Sequence, residues 1–212
     1  MIHLFLNGDF APPLLPIGAG DFCIAVDGGI RHIKRLGLLA DVWLGDFDSS
    51  EQSALFAKMI LTFPPEKDLT DWELALAYVR EHYPHERVQV VGVWGEEVDH
   101  VLSNFLVLVN SGLSEILLVT EHQQIWFLAG QSALSWETSL GAVVSIVPLT
   151  PLEEVNTEGL QWELQQAKLL PFLARSCRNR AQKCKISISW QQGAGLVILP
   201  RPAQSALNGV VG

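Results

Sequence analysis

The chain has 212 residues, 49% of them hydrophobic, and carries a formal net charge of −9. This length allows one large domain or two small ones, each with its own core. Because no run of Lys or Arg is present to displace phosphate counterions, the composition argues against nucleic acid as a partner.

The N-terminal residues and the cysteines both favour a cytoplasmic protein. Residues 1–8 contain no basic segment and turn polar early, which is not typical of a signal peptide. No apolar run approaches the roughly 18 residues of a membrane-spanning helix, so we expect no membrane partner. Cys23, Cys177 and Cys184 form no CxxC pair, and such sparse cysteines are typical of a reducing compartment.

Short apolar runs alternate with helical patterns over about the first 120 residues. The runs are continuous, which is typical of strands buried on both faces. Between them, apolar residues recur at helical spacing in residues 69–83 and 98–109. This alternation predicts an α/β domain with a mostly parallel sheet. The predicted strands are residues 2–6, 22–26, 42–44, 60–63, 88–91 and 116–119.

The pattern changes near Ala129, beyond which short strand-like segments are separated by Gly, Pro and polar turns. One helical pattern remains, residues 164–173, and Pro171 interrupts it. We therefore predict an α/β catalytic domain over residues 1–128 and an all-β, sandwich-like domain over residues 129–212. The strand-like segments are residues 132–136, 142–147, 185–190 and 196–199.

Acidic residues follow the second and third predicted strands. Asp27 precedes two glycines, which would let the backbone approach a ligand closely, although Asp-Gly is also a common turn pair. Asp46 and Asp48 are separated by one residue. Two carboxylates at this spacing could share a metal ion, or they could cap a helix that begins near Ser49.

A lysine and further carboxylates lie where the first long helical pattern begins. Thr70 and Glu73 have the spacing of a capping box, and Asp71 in the first turn suits the helix dipole. These local roles do not explain Lys67, because a positive charge is unfavourable near a helix N-terminus. A cation at this place indicates a partner anion, and the helix N-terminus could itself receive a phosphate.

A glycine loop with several acids, residues 92–100, follows the predicted strand 88–91 and opens the next helix. The loop is not a GxGxxG motif, and by itself it could be an ordinary turn. All of these acidic groups, however, follow predicted parallel strands at their C-terminal ends, where open α/β sheets bind ligands. Since carboxylates there can hold Mg²⁺, we hypothesise Mg²⁺-dependent chemistry on a nucleotide polyphosphate.

The chain resembles the thiamine pyrophosphokinase family, which transfers pyrophosphate from ATP to thiamine and releases AMP. Two acidic signatures of the family, Gly-Asp-Phe-Asp-Ser and Pro-x-x-Lys-Asp-x-Thr-Asp-x-Glu, are intact in this sequence. The glycine loop matches in part, and the resemblance covers nearly the whole chain in the family's domain order. The matching segments are residues 27–29, 45–49, 64–73, 92–104 and 159–164.

The resemblance implies ATP as co-substrate, thiamine as acceptor, Mg²⁺ as cofactor, and a homodimer with thiamine bound between domains at the subunit interface. One carboxylate, Asp71 or Asp99, would accept the hydroxyl proton. Trp162 would stack on the cationic ring of thiamine, or alternatively lie in the β-domain core. The implied metal ligands are Asp27, Asp46, Asp48 and Asp71. The implied catalytic residues are Asp46, Asp48, Lys67, Asp71 and Asp99. The implied nucleotide- and thiamine-binding residues are Asp27, Gly28, Gly29, Ser49, Lys67, Asp68, Thr70, His100, Asn104, Trp162 and Asn179.

Three positions depart from the family pattern. Glu97 replaces an arginine of the glycine loop, Arg31 lies where Asn is common, and Arg178 replaces a Ser near the end. These changes leave open a divergent pyrophosphokinase with another alcohol acceptor, such as a pterin. A non-catalytic nucleotide or thiamine binder is a further alternative. A HAD-type phosphohydrolase, which also uses a D-x-D motif, is the alternative from another enzyme class.

Overall fold

The computed structural model describes residues 1–47, 55–64, 66 and 68–202. The chain divides into two units, Met1–Glu121 and His122–Gly212. The sequence pattern predicts this boundary after residue 128 instead. The difference arises because the strand Gln123–Ala129, which has no counterpart among the predicted strands, pairs with a strand near the C-terminus and so belongs to the second unit.

Buried apolar runs form the parallel strands of the first unit. The strands are β1 (Ile2–Phe5), β2 (Phe22–Val26), β3 (Ala40–Gly45), β4 (Ala57–Thr62), β5 (Val88–Val91) and β6 (Glu115–Val119). They pair in parallel in the order β6-β5-β1-β2-β3-β4. Every residue of β1 and of β5 is buried, as expected for strands covered on both faces. The predicted parallel sheet is confirmed.

The strand order changes direction at β1. β2 pairs with one edge of β1 and β5 with the other, so the chain moves from one half of the sheet to the other between β4 and β5. In open α/β sheets such a switch point leaves a crevice outside the C-terminal ends of the two central strands. The topology therefore predicts a ligand site beyond β1 and β5.

Helices lie between these strands. They are α1 (Ile30–Arg35), α2 (Asp71–His82) and α3 (Val98–Leu106), with 3-10 helices at Asp27–Gly29 and Val107–Asn110. The predicted capping box begins α2: the Thr70 hydroxyl accepts from the Glu73 N–H at 3.2 Å, and the Glu73 carboxylate accepts from the Thr70 N–H at 2.9 Å. Such a cap stabilises a helix by about 1 kcal/mol. The helix expected near Ser49 lies outside the described residues.

The strands described in the second unit all pair antiparallel. They are β7 (Gln123–Ala129), β8 (Ser132–Glu137), β9 (Val143–Pro148), β10 (Leu152–Glu158), β11 (Ala167–Leu169), β12 (Asn179–Arg180), β13 (Lys185–Trp190) and β14 (Ala194–Pro200). One group has the order β12-β9-β14-β7 and the other β11-β10-β13-β8. Burial alternates along β9 and β13, and their buried residues meet in one apolar core. The predicted all-β domain is confirmed.

The apolar spacing of residues 164–173, which Pro171 interrupts, does not produce a helix, in agreement with the predicted all-β domain. The segment contains the short strand β11, whose Ala167 pairs with Val155 and whose Leu169 pairs with Leu152. Pro171 cannot donate a helical hydrogen bond, and sheet pairing satisfies the backbone instead. In the described part of the chain, no helix has the length and apolar character that crossing a bilayer requires.

Candidate active site

A cavity of about 840 Å³ opens in the first unit at the C-terminal ends of β1, β2 and β5. Its lining includes residues 6–9 after β1, Asp27 after β2 and residues 92–97 after β5. The start of α2, several residues of α3, Arg31 of α1 and Val107 also line it. This volume is typical of small-molecule sites. The cavity therefore lies where the change in strand order predicts a ligand site.

Two glycines let the loops after β1 and β5 touch. The Gly8 N–H donates to the Gly92 carbonyl at 2.9 Å. A Cβ added at Gly8 would overlap the carbonyl oxygens of Gly92 and Trp94, and one at Gly92 would overlap that of Leu6. Gly92 also has a φ of +81°, a conformation that favours glycine. Larger residues at either position would therefore push these loops apart.

Asp27 forms the turn between β2 and α1, and its carboxylate lies at the cavity. Its φ is 45°, in the left-handed region that Asp tolerates better than most residues. Asp27 lines the cavity, and its Oδ1 is buried. A Cβ at Gly28 would overlap the Asn7 side chain, and one at Gly29 would overlap the Phe5 carbonyl. These glycines thus allow the turn to approach β1, while their contact with a ligand remains a prediction.

The N-terminus of α2 contributes Thr70 and Asp71 to the cavity lining. Asp71 is half-buried and its Oδ1 is fully buried. The Thr70 hydroxyl donates to Oε2 of Glu73 at 2.9 Å, so it is part of the helix cap. Trp72 Nε1 donates to the Asn104 carbonyl at 3.2 Å and joins α2 to α3. This helix end combines a carboxylate with the positive end of a helix dipole.

Helix α3 brings His100 and Asn104 to the cavity. Asn104 Nδ2 donates to the Val93 carbonyl at 3.0 Å and so holds the glycine loop. His100 Nδ1 lies 3.2 Å from Oε2 of Glu97, but both side chains are more than 70% exposed, so this pair adds little stability. Asp99 is exposed, accepts from the His100 N–H at 3.0 Å and is not part of the cavity lining.

The remaining predicted residues of the first unit lie outside the cavity or outside the described residues. Asp46 follows β3 and is half-buried, whereas Asp68 is exposed, and neither lines the cavity. Asp48, Ser49 and Lys67 are outside the described residues. The roles that the resemblance implies for these five residues therefore stay predictions.

The cavity is also lined by Arg31 and residues 7–9, which are not among the site residues predicted from the sequence. Arg31 Nη2 donates to the Asn7 carbonyl at 2.6 Å and to the Gly8 carbonyl at 2.7 Å. Residues 7–9 read Asn-Gly-Asp after the first predicted strand, and this position could have identified them. In the sequence, Arg31 stands out only as a departure from the Asn common in the family. Its place at the cavity depends on how α1 packs beside β1.

Carboxylates dominate the charge of the described cavity lining. Such a cluster repels phosphate unless a cation is bound, and carboxylate oxygens are ligands that Mg²⁺ prefers. Asp27 and Asp71 therefore fit Mg²⁺ in ligand type. Among the described residues, no group of three or more His, Cys, Asp or Glu side chains is arranged to hold a metal ion, and Asp48 lies outside them. The acidic lining residues are Asp9, Asp27, Asp71, Glu96 and Glu97, and the basic one is Arg31.

His32 supports the turn at Gly8 and makes it sensitive to acid. Its side chain is 3% exposed, and its Nε2 donates to the Gly8 carbonyl at 2.9 Å. Burial lowers the pKa of His32 from 6.5, while the hydrogen bond to Gly8 acts in the opposite direction. Because folding disfavours protonation of this ring, its contribution to stability is present above the unfolded pKa and lost as pH falls below it.

We therefore expect the Tm to fall when the pH is lowered from about 7.5 to 5.5. His3 is also buried, and burial lowers its pKa, so both histidines contribute with the same sign. His32→Gln should remove part of the dependence, as measured by thermal unfolding of both proteins at both pH values. A Tm of the unsubstituted protein that is equal at the two pH values would contradict this expectation.

In the second unit, Trp162 is exposed and Asn179 holds its backbone. The Trp162 side chain is 59% exposed, so the alternative that placed it in the β-domain core is wrong. Asn179 Oδ1 accepts from the Trp162 N–H at 3.1 Å, and its Nδ2 donates to the Trp162 carbonyl at 2.7 Å. The turn after β10 therefore presents the indole outward. Asn179 is buried, and its amide is engaged by this turn.

Two family models match the chain, one in each unit. The catalytic domain of thiamin pyrophosphokinase matches residues 17–119, and its vitamin B1 binding domain matches residues 133–194. The chain belongs to the thiamine pyrophosphokinase family. No curated protein matches it by sequence.

Solved structures of thiamine pyrophosphokinases share this fold. The enzyme from Bacillus subtilis is 22% identical, with a TM-score of 0.80 over 95% of this chain and 99% of that one. A thiamin pyrophosphokinase family protein from Enterococcus faecalis is 21% identical, with a TM-score of 0.78 over 95% and 99%. The Candida albicans enzyme is 15% identical, with a TM-score of 0.75 over 94% and 88%. At these identities the likeness concerns the fold.

Family membership decides among the alternatives left open by the sequence. A thiamine pyrophosphokinase catalytic domain followed by a vitamin B1 binding domain supports an enzyme that forms thiamine diphosphate. It implies ATP as the co-substrate and thiamine as the acceptor. The alternative of a HAD-type phosphohydrolase is no longer supported, because the D-x-D segment lies within the matched catalytic domain.

Proposed function

We propose that the chain transfers the pyrophosphoryl group of ATP to the hydroxyl of thiamine, with Mg²⁺ as cofactor and the first-unit cavity as the phosphate site. The observation that carries this proposal is that Asp27 and Asp71 line one cavity at the switch point of a sheet matched by the catalytic domain. These carboxylates come from separate segments of the chain, and the fold alone brings them to the same cavity.

In the proposed reaction, the hydroxyl oxygen of thiamine forms a bond to the β-phosphorus of ATP. The bond from that phosphorus to the oxygen bridging the α- and β-phosphates breaks, and the oxygen leaves with AMP together with the bonding electrons. The hydroxyl proton passes to a carboxylate. Reactions of this class depend mainly on positioning and on stabilising charge.

Asp71 is the better candidate to contact the reacting groups. It lines the cavity with a buried Oδ1, whereas Asp99 is exposed and accepts a hydrogen bond from the backbone of α3. Asp99 would then act by fixing the start of α3 beside His100, which does line the cavity. We therefore favour Asp71 over Asp99 for orienting the hydroxyl, and retain Asp99 as a supporting residue.

The proposed metal ligands are Asp27, Asp46, Asp48 and Asp71. Bound Mg²⁺ would supply positive charge to the phosphate oxygens and to the leaving oxygen. The N–H groups at the start of α2, beside Thr70, would contribute a further positive potential toward phosphate. Lys67 and Asp68 precede this helix in sequence, and the family resemblance assigns Lys67 to non-bridging phosphate oxygens.

We expect Arg31→Ala to weaken ATP binding by about tenfold or more, because a charge-assisted hydrogen bond contributes roughly 1.5–3 kcal/mol. Arg31 is the permanently cationic side chain of the described lining, and two carbonyls fix its guanidinium there. Isothermal titration with ATP, ADP and AMP should show a loss that grows with the number of phosphates.

Arg35→Ala is the matched control for this change. Arg35 lies on the same helix, stacks on the Phe10 ring at 4.1 Å and does not line the cavity, so nucleotide affinity should be preserved. Equal weakening in both variants would assign the effect to the general charge of α1. Unchanged affinity in Arg31→Ala would remove Arg31 from the phosphate site.

For the acceptor, we propose that the exposed indole of Trp162 stacks on the cationic ring of thiamine. A cation over an indole face contributes about 0.5–2 kcal/mol, depending on how far the pair is removed from water. Asn179 would contribute by fixing the Trp162 backbone. We also propose the homodimer that the resemblance predicts. Sedimentation equilibrium would test it, and a monomer at all concentrations would exclude it.

The fate of labelled phosphate tests the proposed function. With ATP labelled at the α-phosphate, the label should appear in AMP, and with ATP labelled at the γ-phosphate it should appear in thiamine diphosphate. Chromatography of reactions with and without thiamine would separate these products. Label from the γ-phosphate in thiamine monophosphate, or in free phosphate alone, would contradict the proposed transfer.

A further inference from the structure

Trp43 connects the two strand ends that carry the acidic residues of the candidate site. It lies in β3 and is 0% exposed, in an apolar cluster with Phe5, Ile33 and Phe47. A tryptophan of this size in a parallel strand would by itself be an ordinary core residue. Its polar atom and its ring contacts, however, reach both acidic turns.

The first contact is a hydrogen bond to the backbone of Asp27. Trp43 Nε1 donates to the Asp27 carbonyl at 2.9 Å, and the N–H of Ile30 donates to the same oxygen. Asp27 has a φ of 45°, a conformation that non-glycine residues keep only when their surroundings impose it. The indole therefore fixes the peptide group that follows Asp27, and with it the direction in which the Asp27 side chain leaves the backbone.

The second contact is an edge-to-face packing against Phe47. The two ring centroids are 4.9 Å apart and the rings are perpendicular. Phe47 is 8% exposed and has a φ of 56°, and its neighbours in the chain are Asp46 and Asp48. Burial of the Phe47 ring against Trp43 therefore restrains the backbone next to Asp46.

The third contact is between the two turns themselves. A Cβ at Gly45 would lie 3.2 Å from the Cα of Asp27, so the end of β3 lies directly against the turn after β2. Asp27 in one turn and Phe47 in the other both have left-handed backbone conformations. The buried indole of Trp43 touches both residues. Two strained turns that meet on a shared side chain will move together if that side chain changes.

We propose that Trp43 is a positioning residue that holds the acidic turns after β2 and β3 in the arrangement that binds a divalent cation with the nucleotide. This inference rests on the proposed function, since it assigns a support to the same site. The physical reason is that clustered carboxylates repel one another, so their backbone must be fixed before a cation arrives. Trp43 touches neither substrate nor metal and acts through Asp27 and Phe47.

Trp43→Phe tests this role because it keeps an aromatic ring and removes the N–H donor. Loss of such supporting hydrogen bonds weakens metal binding by about 10- to 100-fold in other sites. We expect Mn²⁺, titrated in place of Mg²⁺ with a non-hydrolysable ATP analogue and followed by electron paramagnetic resonance, to bind about tenfold more weakly. The turnover rate should fall at fixed Mg²⁺ and recover in part at high Mg²⁺, whereas the KM for thiamine should not change.

Trp190→Phe is the matched control. Trp190 is also 0% exposed, and its Nε1 has no hydrogen-bond partner in the described structure, so this substitution removes an indole without removing a hydrogen bond. Trp190 belongs to the core of the second unit. It should lose some thermal stability and keep the affinity of the unsubstituted protein for Mn²⁺.

The outcomes separate this inference from the proposed function. If the unsubstituted protein forms AMP and binds Mn²⁺ with nucleotide, and Trp43→Phe matches Trp190→Phe in Mn²⁺ affinity, the role of Trp43 is overturned. If the unsubstituted protein forms no AMP with thiamine, the proposed function itself fails. Should Trp43→Phe not fold, Phe47→Leu removes the ring contact and keeps the hydrogen bond. Weaker Mn²⁺ binding in Phe47→Leu supports the inference, and unchanged binding overturns it.

Discussion

Asp71→Asn will lower the rate of AMP formation by about two orders of magnitude or more, because it removes a charge from the group proposed to contact metal and hydroxyl. The fold should tolerate the change. Asp71 lies in the first turn of α2, where loss of a negative charge costs about 0.3–1 kcal/mol, and the capping box of Thr70 and Glu73 remains. Such a loss shifts the Tm by only a few degrees.

Thermal unfolding and steady-state kinetics measured on the same preparation check this expectation. Glu81→Gln is the matched control, since Glu81 is an exposed carboxylate near the other end of the same helix. It should leave both the rate and the Tm unchanged. A rate for Asp71→Asn within twofold of the unsubstituted protein would remove Asp71 from the catalytic site.

Asp27→Asn and Asp27→Ala will lose activity to a similar degree but differ in stability. Both remove the carboxylate that lines the cavity, so the rate should fall by about two orders of magnitude in each. The backbone at Asp27 has a φ of 45°. Asn accepts this left-handed conformation about as readily as Asp does, whereas Ala is strained there by roughly 1–2 kcal/mol.

A comparison of the two Asp27 variants therefore distinguishes charge from backbone conformation. Denaturant unfolding should show Asp27→Asn close to the unsubstituted protein and Asp27→Ala clearly less stable. Mn²⁺ titration should show weakened binding in both. If Asp27→Asn kept its activity and its Mn²⁺ affinity, Asp27 would be a turn residue with no part in metal binding.

The parts of the fold that sequence alone predicts are those with local causes. The strands follow from continuous apolar runs, and the start of α2 follows from Thr70 and Glu73, whose hydrogen bonds join residues three apart. The placement of Asp27 and Gly92 beyond strand ends follows from the same pattern. Because the C-terminal ends of parallel strands lie at the same edge of the sheet, both residues are then expected at that edge, where open α/β sheets bind ligands.

The parts that sequence does not predict depend on contacts between distant segments. Arg31 reaches the cavity because its helix packs beside β1, where the Asn7 and Gly8 carbonyls hold its guanidinium. The left-handed turns at Asp27 and Phe47 both contact the indole of Trp43, which no local pattern links to either residue. From the sequence alone, Asp27 is interpreted as part of an ordinary turn and Trp43 as an ordinary core residue.

The second unit contains a local pattern that the tertiary structure overrides. Residues 164–173 have helical spacing of apolar residues, yet pairing of β11 with β10 and the presence of Pro171 give a strand and turns. Tertiary pairing overrides local preference in this segment. For Trp162 the sequence left open a core position and a ligand contact; the indole is exposed, and Asn179 fixes the turn that carries it.

The most direct test of the central claim is the stoichiometry of products from ATP, Mg²⁺ and thiamine. Chromatography over a time course should show AMP and thiamine diphosphate rising together at a ratio of one, with no AMP when thiamine is omitted. ADP in place of AMP, or AMP without thiamine diphosphate, would contradict pyrophosphoryl transfer to thiamine by this chain.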